Sequence, residues 1–132
     1  MTGEKNKKIL IVDDEPDVVI YLRALLEDND FITITAENGR EGVEKAISEK
    51  PHLITLDMSM PDESGVRAFN KLRENKATTD IPIIIVTGIS AEFKESIESR
   101  MKVHRPKAYF EKPIDRDEFL SKVKEILNIS DN

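Results

Sequence analysis

Asp13, Asp14, Asp57, Thr87 and Lys112 each stand at or just past the end of a short apolar run. The runs are Ile9-Leu10-Ile11-Val12, Leu53-Ile54-Thr55-Leu56, Ile83-Ile84-Ile85-Val86 and Ala108-Tyr109-Phe110. Were the five side chains to converge, their three carboxylates would repel by about 4 kcal/mol per close pair at an effective dielectric near 20. Either some protonate or a cation joins them. Oxygen ligands with no cysteine and no nearby histidine favour a hard ion, Mg2+ (or Mn2+), which binds through one or two carboxylates and keeps several waters. Such an ion recruits phosphoryl oxygens, and a hydroxyl and an ammonium suit the oxygens left over. The nucleophile candidates are then Asp57 and Thr87. A carboxylate attacks phosphorus without a general base, whereas a hydroxyl needs one and none is evident. Asp57 is the expected nucleophile.

Each part has a plainer reading. Asp13-Asp14 ahead of Pro16 suits a helix N-terminus, Asp57 alone suits a turn, and Thr87-Gly88 and Lys112-Pro113 are common strand exits. His52 and His104 read as ordinary polar residues, His52 at the strand end away from the acids. Four coincidences on the correct strands are a different matter. The constellation is strong where its parts are weak.

The elements that must position these residues follow from periodicity. A further branched run, Ile32-Thr33-Ile34-Thr35, completes five segments of strand length and composition. Helical patterns lie between them. Val18, Leu22, Leu25 and Leu26 share a face behind Pro16. Asn38 with Glu41 reads as a capping box ahead of Val43, Ala46 and Ile47. Val66 and Phe69 with Leu72 or Arg73 mark a third helix, and Phe93, Ile97 and Met101 a fourth behind Ser90. Asp115 with Glu118 opens the last, whose apolar face is Phe119, Leu120, Val123, Ile126 and Leu127. Strand and helix alternate five times, which predicts an α/β fold with a parallel sheet covered on both faces. Right-handed crossovers place all strand C-termini on one edge, where ligands bind in such sheets.

The totals agree with this reading. The 132 residues suit one domain, and 39% hydrophobic with 35% charged residues suits a globular chain. The absence of cysteine excludes disulfides, thiolate catalysis and zinc-cysteine sites. A formal charge of −6 disfavours binding nucleic acid by phosphate neutralisation. Met1 to Lys8 is polar, without the apolar run of a signal peptide, and no stretch approaches a membrane span. The expected location is the cytoplasm.

The pieces "ILIVDDEP", "LDMSMPDESG", "IIIVTG" and "AYFEKP", in this order and spacing, resemble the receiver domain of two-component response regulators. The resemblance covers residues 8–127, leaving short tails at 1–7 and 128–132. It implies a five-stranded, doubly wound, flavodoxin-like sheet of order 2-1-3-4-5 with five helices. It implies that Asp57 accepts a phosphoryl group from a phosphohistidine, and that Asp14, Asp57 and the backbone carbonyl of Ser59 ligate Mg2+, Asp13 largely through water. Lys112, with a cis bond to Pro113, pairs with the acceptor and then the phosphoryl group. Thr87 and Tyr109 form the switch that remodels the surface around the fourth helix and fifth strand. The implied partners are a sensor histidine kinase or phosphotransfer protein and an output protein or domain, with neither nucleic acid nor membrane, and room for a dimer in the phosphorylated form.

Two departures stand out. Ser59 and Ile89, each two residues past a site residue, flank the phosphoryl position, where side chains tune hydrolysis. The stretch from Thr87 to Lys112 is also a few residues long, with the surplus in the basic "RMKVHRPK" (Arg100 to Lys107), read here as a source of partner specificity. Among rival readings, an aspartate-based phosphatase needs a second acid two residues past its nucleophile, and Ser59 stands there. A flavodoxin-like nucleotide binder needs hydroxyls and glycines in its first turn, where Asp13-Asp14-Glu15 repels phosphate. Only Asn128 to Asn132 follow the last helical pattern, which fits a single-domain regulator or the receiver of a larger regulator or hybrid kinase.

Overall fold

Strands with no polar face must be covered from both sides. The structure, a computed structural model, describes residues 7–59, 64–88 and 107–129. Its strands β1 (Lys8–Val12), β2 (Ile32–Ala36), β3 (Leu53–Leu56), β4 (Ile83–Thr87) and β5 (Ala108–Glu111) form one parallel sheet of order β2-β1-β3-β4-β5. Among the described residues the helices are α1 (Pro16–Glu27), α2 (Gly39–Glu49), α3 (Ser64–Glu74) and α4 (Arg116–Ile126). The expected sheet order is found, with four of the five expected helices. The helix expected behind Ser90, with Phe93, Ile97 and Met101, lies outside the described residues, as do Ile89 and Arg100 to Pro106 of the basic segment.

The period-two alternation of strand side chains sorts the interior into two cores. Leu10, Val12, Ile54, Leu56, Ile83 and Ile85 face Ala46 of α2 and Val66, Phe69 and Leu72 of α3. Ile9, Ile11, Leu53, Ile84 and Val86 face Leu22 and Leu26 of α1 and Phe119 and Val123 of α4. Burying each large side chain contributes about 1.5–3 kcal/mol, so the central strands β1, β3 and β4 anchor the fold. The edge strands are less covered, and Ile32 of β2 is 44% exposed.

Helix ends follow their local chemistry. The Asn38 side chain accepts from the Glu41 N–H at 2.8 Å, and the Glu41 carboxylate accepts from the Glu37 N–H at 2.8 Å. The capping box therefore closes, one amide earlier than the usual reciprocal bond. Asp115 caps α4 by accepting from the Glu118 N–H at 3.0 Å. The Phe110 and Phe119 rings meet edge to face at 5.4 Å and tie β5 to α4. Behind Glu15, Pro16 starts α1, where its missing N–H costs nothing.

Helix α3 is fixed at both ends. Any Cβ at Gly65 would collide with the Asp57 carbonyl oxygen and the Met58 Cα, so glycine lets α3 start against the Asp57 backbone. Arg73, with Leu72, is buried at the other end. Its guanidinium donates to the Thr79 and Ile81 carbonyls at 2.8 Å and lies over the Phe69 ring.

Candidate functional site

Strand register brings the acids together. Val12 pairs with Leu56 across β1 and β3. The Asp57 N–H donates to the Val12 carbonyl at 3.0 Å, and the Asp13 N–H to the Ala36 carbonyl at 3.1 Å. Asp13 and Asp57, the next residue of each strand, thus end at one height on the sheet's C-terminal edge. Both are buried, at 2% and 1% exposure, while Asp14 beside them is exposed. One carboxylate oxygen from each of Asp13, Asp14 and Asp57 lies within 4.8 Å of the others.

Lys112 reaches this cluster from β5. Glu111 pairs with Thr87 at the end of β4, so Lys112 emerges beside the strand that delivers Thr87. Its ammonium, 13% exposed, lies 3.1 Å from Asp13 Oδ2 and 3.5 Å from Asp57 Oδ2. It lies closer still to Glu15 Oε1. The Lys112–Pro113 peptide is cis, as the resemblance implies. Tyr109 pairs with Ile85 and packs, half-buried, against the core under α2 and α3.

The electrostatics follow from burial. Loss of water pushes the Asp13 carboxyl up to about 6; the Asp57 charge adds to this, and the Glu15 N–H and Lys112 oppose it. Burial alone would lower the Lys112 pKa. Hydrogen bonds to Glu15 and Asp13, with the nearby Asp57 and Asp13 charges, raise it on balance, so the ammonium stays charged.

The two oxygens of Asp57 face different groups. Oδ2 looks toward Lys112, whereas Oδ1 accepts from the Ser59 N–H at 2.9 Å and the Ser59 hydroxyl at 2.6 Å. Three clustered carboxylates against one ammonium form an anionic, all-oxygen donor set. That set fits a hard divalent cation.

Four of the residues singled out in the sequence, Asp13, Asp14, Asp57 and Lys112, come together here; Thr87 and Tyr109 take their places on β4 and β5. Two contacts go beyond the sequence reading. That reading gives Ser59 a role through its backbone carbonyl, and its hydroxyl in addition engages Asp57. It gives Glu15 only a charge in the first turn, and Glu15 holds Lys112.

The response regulator receiver domain model matches residues 9–124. This chain belongs to the response regulator receiver family. The receiver domain is 36% identical over 126 residues to the alkaline phosphatase synthesis transcriptional regulatory protein PhoP of Bacillus subtilis, covering 96% of this chain and 50% of PhoP. It is 35% identical over 120 residues to protein PilH of Pseudomonas aeruginosa, covering 91% of this chain and 97% of PilH. The chain therefore spans half of one relative and nearly all of the other. Among solved structures, the response regulator TrrA of Thermotoga maritima, in complex with Mg(2+)-BeF, superposes with a TM-score of 0.77 at 32% identity, covering 91% of this receiver and 98% of TrrA. A receiver is a signalling domain.

Proposed function

We propose that residues 8–127 are the working unit of a phosphorylation-driven switch, with Asp57 as phosphoacceptor. The observation that carries this reading is the placement of Asp57. It is a buried carboxylate on the ligand edge of the sheet, flanked by two further aspartates and an ammonium. The donor is a phosphohistidine of a sensor histidine kinase or phosphotransfer protein. An oxygen of Asp57, best Oδ2, forms a bond to phosphorus as the P–N bond breaks, and the imidazole leaves with the electron pair. The product is an acyl phosphate.

Asp13, Asp14, Asp57 and the Ser59 carbonyl would hold Mg2+ or Mn2+, in keeping with the Mg(2+)-BeF complex of TrrA. When bound, the ion offsets the carboxylate repulsion and holds phosphoryl oxygens. Lys112 stabilises charge on the transferred group, Thr87 contributes a hydroxyl, and Tyr109 follows it as the switch. Hydrolysis is limited to slow loss of the domain's own phosphoryl group, since Ser59 stands where a phosphatase has its acid. The expected setting is the cytoplasm, with output through a partner protein or domain, a dimer in the phosphorylated form, and no direct contact with nucleic acid or membrane.

Intact mass after incubation with Mg2+ and acetyl phosphate tests this reading, with wild type beside Asp57→Asn. The expected result is a Mg2+-dependent gain of one phosphoryl group that the variant lacks. No adduct on wild type, together with no binding of beryllofluoride, would overturn it.

A further inference from the structure

Lys112 has more carboxylates than its expected role needs. Its ammonium carries three protons, and it touches Asp13, Asp57 and Glu15, with Glu15 the nearest. The Asp57 contact, at 3.5 Å, is the longest of the three and at the outer limit of a hydrogen bond. Asp13 and Asp57 are buried at strand ends, at 2% and 1% exposure. Glu15 differs on each count. Its side chain is 56% exposed, and it stands at the N-cap of α1 without capping that helix. Its backbone is fixed by Asp13, whose Oδ1 accepts from the Glu15 N–H at 2.9 Å, and this turn sets the side chain toward Lys112, 97 residues along the chain.

The geometry points to Glu15 as a releasable latch, a positioning residue that draws Lys112 away from Asp57 in the resting state. This rests on the reading of Asp57 as phosphoacceptor. A phosphoryl group on Asp57 brings more negative charge than Glu15 does and presents it in a buried setting, where a charge-assisted bond is stronger. Lys112 then turns to the phosphoryl oxygens. Glu15, being exposed, returns to water at small cost, because solvated ion pairs are weak. The latch therefore sets how readily the lysine becomes available. It makes no bond to the transferred group, and its influence is confined to the resting state.

The test uses the full chain with Mg2+ and beryllofluoride, a phosphoryl mimic, in wild type, Glu15→Gln and Glu15→Asp. Affinity is read by titration, and the Lys112 Nζ chemical shift by NMR. Glu15→Gln loses the charge, and Glu15→Asp keeps it but is one methylene too short to reach. Both variants are expected to bind about two- to fivefold more tightly, the scale of one solvated ion pair. The Lys112 shift is expected to differ from wild type before loading and to coincide with it afterwards. Unchanged affinity in both variants, with wild type binding, overturns the latch alone. Tighter binding in Glu15→Gln with Glu15→Asp matching wild type also overturns it, in favour of a distant charge effect. A wild type that binds no beryllofluoride overturns the phosphoacceptor reading, and the latch falls with it.

Discussion

Ser59 holds Asp57 Oδ1 twice, through its N–H at 2.9 Å and its hydroxyl at 2.6 Å. A residue two positions past the acid thereby occupies one of its two oxygens. Lys112 faces Oδ2, so the carboxylate is divided between a neutral partner and a charged one.

Ser59→Ala follows from that division. A metal ion that binds the aspartates competes for Asp57 oxygen with the serine hydroxyl. Without the hydroxyl, the metal-free protein is expected to lose about 1.5–3 kcal/mol of unfolding free energy, the scale of a hydrogen bond to a charged group. Half-saturation by Mg2+ is expected at a lower concentration, because Oδ1 gives up one donor fewer. Urea unfolding in chelator and a thermal-shift titration with Mg2+ read the two effects. An unchanged titration would show that the hydroxyl does not compete.

Asp13→Asn separates charge from shape. Asp13 is buried beside Asp57, and its carboxylate costs the metal-free fold more than Lys112 returns, as its raised pKa records. At pH 7, where a carboxyl raised to about 6 is mostly ionised at a cost to the fold, removing that charge is expected to stabilise the metal-free protein by about 1–3 kcal/mol. The same change weakens the cation site, so the rise in Tm on adding Mg2+ is expected to shrink. Scanning calorimetry with chelator and with Mg2+ measures both. A variant less stable than wild type in chelator sinks the argument.

His52 predicts a pH effect far from the acids. Its Nδ1 accepts from the Lys8 N–H at 2.9 Å. Partial burial, then the charges of Lys7 and Lys8, hold its pKa below the ordinary 6.5. The unfolded chain therefore takes up the proton first as pH falls. The stabilisation is complete above pH 6.5 and is lost as pH drops through that value toward the lower folded pKa. His52→Gln is expected to flatten the fall in Tm between about pH 7 and 5. Parallel Tm profiles for variant and wild type would remove His52 as the cause.

The fold and the site were unequally legible. Branched runs such as Ile9-Leu10-Ile11-Val12 fit a strand buried on both faces, and Asn38 with Glu41 marks a helix start by local chemistry alone. Helical period does not choose between Leu72 and Arg73, and both are buried. Arg73 stays inside because the loop ending at Ile81 supplies carbonyls that no spacing rule records. Spacing puts Ile47 on the apolar face of α2, yet it is 38% exposed. Single residues at strand ends mark Asp13, Asp57 and Lys112. The Glu15 contact was out of reach, because a pairing across 97 residues depends on the register of strands between them.

The sheet that carries the acids also works as a partition. Among the described residues, the core under α2 and α3 and the core under α1 and α4 lie on opposite faces of the sheet. Substitutions in the helices of opposite faces are expected to combine with little coupling, whereas neighbours on one strand, such as Ile9 and Leu10, share a backbone and couple. The acidic edge is the exception, because it terminates the partition and belongs to both sides. The residues at the edge answer to both faces at once and have the least freedom to change.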